Sequence, residues 1–183
     1  MAFGITSIFK KKVEEEKVAD LFVNIVFNAV DTSFGEVAEL LNNDLNLIAR
    51  ATVDPENQDD FLMIVLAGNF HLLDEYFHEG QEDRIKELTV AKLAAVYGVD
   101  TVTMRSAIEN TLAYFKKINY PSKNTHYAMS RAVFHKYGLN EFQKDYFRNL
   151  NAPDPILLKN IDEIMDQFII KWDTFTEKYR ITD

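Results

Sequence analysis

Residues 54–80 read DPENQDDFLMIVLAGNFHLLDEYFHEG, and this stretch decides the fold. Asp54 can accept bonds from free backbone N–H groups, and Pro55 suits the first position of a helix because its missing donor would have been unpaired there. Glu56, Asp59 and Asp60 follow at the positive end of the helix dipole. Gly80 can adopt the left-handed conformation that ends a helix. Between these signals, Phe61 to Ala67 is almost continuously apolar. At about 100° per residue, Leu62, Val65, Leu72, Leu73 and Tyr76 share one face, while Met63, Ile64 and Ala67 point elsewhere. A helix that is apolar nearly all round in its first half belongs in the middle of a core.

The second half of the same stretch carries a polar stripe of His71, Asp74, Glu75 and His78. On one helix these would lie within about a third of the circumference. His71, Glu75 and His78 are therefore the candidate metal or haem ligands, and Glu75-x-x-His78 has the spacing used in di-iron carboxylate bundles. Such a centre needs ligands from another helix. No second Glu-x-x-His pair is present, so Glu109, His126, Glu163 and Asp166 are the remaining candidates. The competing reading is an ordinary solvated face, because charged side chains are mostly exposed.

Working outward, the pattern predicts an all-α, single-domain bundle of about seven or eight helices spanning 1–183 around a central buried helix, with boundaries good to about two to four residues. Residues 1–10 read as a flexible tail. Val18, Leu21, Phe22, Ile25, Val26 and Ala29 predict a helix over Lys10–Val30. Asp31-Thr32-Ser33 reads as a break, and Ser33-x-x-Glu36 as the capping box of a second helix with a stripe of Val37, Leu40, Leu41, Leu45, Ile48 and Ala51. Beyond the central helix, further helices are expected over Gly80–Tyr97, Thr101–Lys117, Lys123–Tyr137 and Asn140–Leu150. Asn119-Tyr120-Pro121-Ser122 and Asn151-Ala152-Pro153 read as breaks. A last long helix is expected from Asp154-Pro155 to about Arg180, with Leu157, Ile161, Ile164, Phe168, Trp172, Phe175 and Tyr179 on one side.

Composition narrows the function classes. Gly (6) and Pro (4) are scarce, which suits long helices better than a turn-rich β fold. The chain contains no cysteine, so disulfides, thiolate metal sites and cysteine nucleophiles are excluded, and a reducing cytoplasm fits. A net charge of −9 opposes general affinity for nucleic acid and favours a basic partner. No apolar run is long enough to span a bilayer. There is no phosphate-binding glycine loop and no nucleophile elbow.

One further pattern stands out. Leu93, Ala94, Gly98, Val99, Asp100, Met104, Ala107 and Ile108 are spaced as a two-helix corner. This segment, about residues 90–109, resembles the DNA-binding helix-turn-helix of bacterial repressors. The resemblance implies a recognition helix after Gly98, with Arg105 and the later Lys116 and Lys117 as candidate nucleic-acid contacts. The outward set Asp100, Thr101, Val102, Arg105, Ser106 and Glu109 holds two acids and one base, unlike a usual base-reading face. The absence of catalytic motifs, the acidic surface and the long amphipathic last helix point first to a non-enzymatic protein-interaction or self-association protein. The DNA-binding regulator and the metal-binding bundle are the alternatives.

Overall fold

Helix α2, Asp59–Tyr76, buries nearly every side chain from Phe61 to Phe70, as its all-round apolar pattern requires. It belongs to a computed structural model that describes residues 10–78 and 80–182. Among these residues the elements run in the order β1 (Lys11–Glu14), α1 (Glu15–Asn42), α2, α3 (Gln81–Tyr97), α4 (Thr101–Asn119), α5 (Thr125–Lys136), a 3-10 turn at Leu139–Phe142, α6 (Asp145–Leu150), α7 (Pro155–Asp166), α8 (Trp172–Lys178) and β2 (Tyr179–Thr182). The protein is a helical bundle with one short two-stranded sheet. The expected flexible tail lies largely outside the described residues.

By its contacts the chain divides into two compact units, and it passes between them within α1, α2 and α4 and again between α7 and α8. Among the described residues the first unit comprises 10–25, Leu72–Arg105 and 170–182. The second comprises Val26–His71 and Ser106–Ile169.

In the first unit, β1 and β2 pair in parallel with Lys11 opposite Tyr179 and Val13 opposite Ile181. The sequence pattern predicts a helix from Lys10, and the structure corrects this for residues 11–14. Four residues are too few to show a period of two, so this strand has no signature of its own. Glu15, the first residue of α1, is buried and is held by a two-pronged pair with Arg84 (Nε to Oε2 2.9 Å, Nη2 to Oε1 2.8 Å). That geometry matches a planar guanidinium to a carboxylate and adds direction as well as energy. Trp172 is buried edge-on to Phe77 (5.3 Å) and Phe175 (5.6 Å), the core role expected of it.

In the second unit, the rings of Phe34 and Phe168 flank Phe61 at 5.2 and 4.9 Å. α2 begins at Asp59 rather than Asp54. Asp54 instead closes a turn, its Oδ1 accepting from Glu56 N (3.0 Å). The true start is capped from elsewhere in the chain: Phe61 N donates to Tyr137 Oη (3.1 Å), which in turn donates to Asn57 O (3.3 Å). Burial holds the Tyr137 phenol well above the ordinary tyrosine pKa.

Two further expectations are corrected. The first is the break at 31–33, which does not occur, because α1 is one helix through Asn42. Thr32 Oγ1 donates to Asn28 O (2.6 Å), so the hydroxyl is satisfied inside the helix instead of ending it. Val26, Val30, Phe34, Ala38 and Leu41 are all buried and keep an unbroken helical stripe across the supposed break. The second expected helix stops early. Asn42 turns the chain, exchanging two bonds with Val53 (Nδ2 to O 2.9 Å, N to Oδ1 2.7 Å), and Leu45 and Ile48 are left exposed.

The second correction concerns the last helix, which is divided. α7 starts as expected, with Asp154 Oδ1 accepting from Ile156 N (2.8 Å) and Pro155 in the first turn. Phe168, Ile170 and Trp172 are all buried, and residues two apart cannot share a helix face. The chain therefore leaves the helix after Asp166 and resumes it at Trp172. Asn69 Nδ2 donates to the released Phe168 carbonyl (2.8 Å).

Candidate functional site

The sequence-derived candidates do not assemble into one centre. α2 ends at Tyr76, so His78 lies beyond the helix and out of register with His71 and Glu75. All three side chains are exposed. His71 lines a cavity in the second unit, and His78 lines a cleft in the first beside Tyr76, Gln81 and Arg180. Asp74 is ion-paired to Lys86. Of the proposed outside ligands, His126 Nε2 lies 3.0 Å from Asp162 O, and Glu163 faces Lys159 at 3.5 Å. No group of three or more His, Asp and Glu side chains able to hold a metal occurs among the described residues.

The corner between α3 and α4 has the expected local geometry. Gly98 is left-handed (φ 66), and Gly98 N and Val99 N donate to Ala95 O (3.3 Å) and Ala94 O (3.0 Å), closing α3. Asp100 caps α4, its carboxylate accepting from Thr103 N (2.8 Å) and Thr103 Oγ1 (2.7 Å). These two bonds, the backbone one first, hold its pKa below the ordinary aspartate value and keep it ionised. Leu93, Ala94 and Met104 are buried beneath the turn.

The outer surface of this corner carries four large apolar side chains beside the exposed Asp100, Thr101 and Thr103. Val96, Tyr97, Val99 and Val102 are 59, 43, 39 and 71% exposed, all within seven residues of chain around one turn. Its cations are already matched. Arg105 donates to Glu87 (2.6 Å), and Lys92 reaches Asp20 (2.6 Å) and Glu16 (3.3 Å). Spacing alone revealed the turn. It did not reveal which side of the second helix would be greasy, because that depends on which residues α3 covers.

A second feature had no signal in the sequence beyond the break at 119–122. α4 ends at Asn119 and α5 begins at Thr125, and the loop joining them, with a cis peptide between Tyr120 and Pro121, walls a cavity of about 400 Å³. Leu112, Phe115 and Ala128 supply its apolar wall. Asn119 is buried (3% exposed), and its Nδ2 donates to Asn124 O (2.9 Å) and Ser122 O (3.5 Å). Its Oδ1 is buried with no hydrogen-bond partner among the described residues. Asn124 Oδ1 caps α5 by accepting from Tyr127 N (2.8 Å).

Ser130, His126 and Asp162 lie together between α5 and α7. Ser130 is wholly buried and its hydroxyl donates back to His126 O (3.3 Å), so it is not an accessible nucleophile. Burial raises the Asp162 pKa above the ordinary 3.8, against the Ser130 hydrogen bond and the His126 charge. A carboxyl that holds its proton more tightly when folded contributes stability below that ordinary value, and loses it as pH rises through the raised one. Asp162→Asn is accordingly expected to raise the melting temperature near pH 7 while changing little at about pH 3.5, followed by circular dichroism. A lower melting temperature near neutrality would show that the ionised carboxylate is instead favoured by its surroundings.

No family model matches the chain, and no curated protein or solved structure matches it.

Proposed function

We propose that this chain is a non-enzymatic interaction protein whose α3–α4 corner takes up an apolar, cationic segment of another protein. The observation that carries the reading is the group of four exposed large apolar side chains within seven residues at one turn, since exposed apolar surface gathered in one place marks interaction sites. The partner's charge follows from what is left unmatched at the corner. Arg105 and Lys92 are neutralised by Glu87, Asp20 and Glu16, whereas Asp100 is ionised and exposed. The chain as a whole carries −9. A second copy fits less well, because a two-fold pairing would set like-charged surfaces, including Asp100, against each other.

The DNA-binding alternative has the turn in its favour but less of the charge. A phosphate at Arg105 would have to displace Glu87, and the neighbouring exposed positions Val99 and Val102 offer no hydrogen bonds. The metal alternative lacks a cluster of ligands among the described residues. No helix among those residues is long and apolar enough to cross a membrane, and a cytoplasmic setting suits a cysteine-free chain.

A fluorescein-labelled amphipathic peptide of leucine and lysine tests this by anisotropy. Val96→Asn with Val102→Asn, which removes the apolar groups without adding charge, is expected to weaken binding about tenfold or more, as loss of two buried apolar contacts requires. A leucine–glutamate peptide of equal length is expected not to bind. Equal affinity of wild type and double variant for the cationic peptide would remove the corner as the binding surface.

A further inference from the structure

We propose that the cavity around Asn119 binds a small organic anion with an apolar body and a hydrogen-bond donor. The inference is independent of the α3–α4 corner, since every residue it uses lies in the second unit. Three properties of the cavity define the ligand.

The first is the orphaned acceptor. A buried amide oxygen without a donor is costly and rare in a folded protein. Asn119 cannot escape by exchanging its two ends, because its Nδ2 is committed to the carbonyls of Asn124 and Ser122. A ligand N–H or O–H at this wall would satisfy Oδ1.

The second is charge. No Asp or Glu lines the cavity, although the chain holds 29 of them. Lys116 and Lys123 both line it, both are exposed, and neither makes an ion pair among the described residues. Two unmatched cations at one opening of a strongly acidic protein form a site for an anionic head group. Thr125, the first residue of α5, also lines the cavity, so the positive end of that helix adds to the same field.

The third is size and texture. A volume of about 400 Å³ falls within the range of small-molecule pockets, and Leu112, Phe115 and Ala128 give it an apolar interior. A ring system or short alkyl chain fits that wall while its anion remains near the lysines.

The test compares two fluorescent probes on the intact protein. Anilinonaphthalene sulfonate carries fused rings, an N–H and an anion, while phenylnaphthylamine has the same rings and N–H without the anion. The wild type is expected to bind the sulfonate probe the more tightly. Lys116→Ala with Lys123→Ala is expected to weaken that probe about tenfold and to leave the neutral one within about twofold. Both lysines are exposed, so the double variant should melt as the wild type does, which circular dichroism checks. 10-Hydroxydecanoate and 6-hydroxy-2-naphthoate, each with an anion, an apolar body and an O–H donor, are then used as competitors. Displacement by either supports the site, and the stronger competitor distinguishes a flexible chain from a ring. Equal affinity of the wild type for the two probes, a loss under about threefold in the double variant, or no displacement by either acid would overturn the proposal.

Discussion

Replacing Phe61 by alanine is expected to cost about 3–5 kcal/mol of folding stability, the largest single loss foreseen for this chain. Phe61 is fully buried on α2, edge-on to Phe168 at 4.9 Å and tilted against Phe34 at 5.2 Å. Removing the ring deletes apolar burial, leaves a cavity between α1, α2 and the segment after α7, and abolishes two ring contacts of about 0.5–1.5 kcal/mol each. Phe61→Leu keeps most of the volume and should cost about a third as much. Urea unfolding followed by circular dichroism measures both. A Phe61→Ala loss below about 1 kcal/mol, smaller than core truncations give, would mean that α2 is not in the core.

The second large effect is a matter of space. Gly68 lies inside α2 among buried neighbours, where glycine ordinarily costs about 0.5–1 kcal/mol relative to alanine. Gly68→Ala would therefore stabilise an open helix. Here the added Cβ would stand 2.2 Å from Met129 Sδ and 2.7 Å from its Cε, and Met129 on α5 is fully buried. The steric term wins, and Gly68→Ala is expected to cost about 1–3 kcal/mol. Met129→Ala alone should cost about 2–4 kcal/mol. In the Met129→Ala background the sign of Gly68→Ala should reverse to a gain of a few tenths to about 1 kcal/mol. Additive effects in this cycle would show that α2 and α5 do not meet at Gly68.

These two residues also show what was legible beforehand. The apolar run from Phe61 to Ala67 announced a core helix because no arrangement exposes one face of it without exposing large side chains. Which residue would lie closest to a neighbour was not legible, because the partner of Gly68 is Met129, far along the chain. Local signals failed where tertiary demands outweighed them. Asp31-Thr32-Ser33 looked like a stop until the stripe through Val30 and Phe34 carried the helix past it. Asp54-Pro55 looked like a start, but the helix begins where Tyr137 caps it. The last helix is divided because Phe168, Ile170 and Trp172 all had to be buried.

The candidate sites follow the same logic. The turn at Gly98 was readable from one glycine and its spacing, but the four exposed apolar side chains around it became visible only once α3 and α4 had buried Leu93, Ala94 and Met104 beneath it. The cavity at Asn119 draws on α2, α4, α5 and a loop, so nothing short of the folded chain could reveal it. His71, Glu75 and His78 made a stripe only on the assumption that α2 continued past Tyr76.

The most direct test of the interaction reading is an amide-resolved NMR titration of the isotope-labelled protein with the leucine–lysine peptide. Saturating shifts concentrated on Val96–Arg105, with small changes elsewhere, are the expected result. Shifts that centre on another surface, or that stay unchanged at Val96, Val99 and Val102 while the peptide binds, would contradict it.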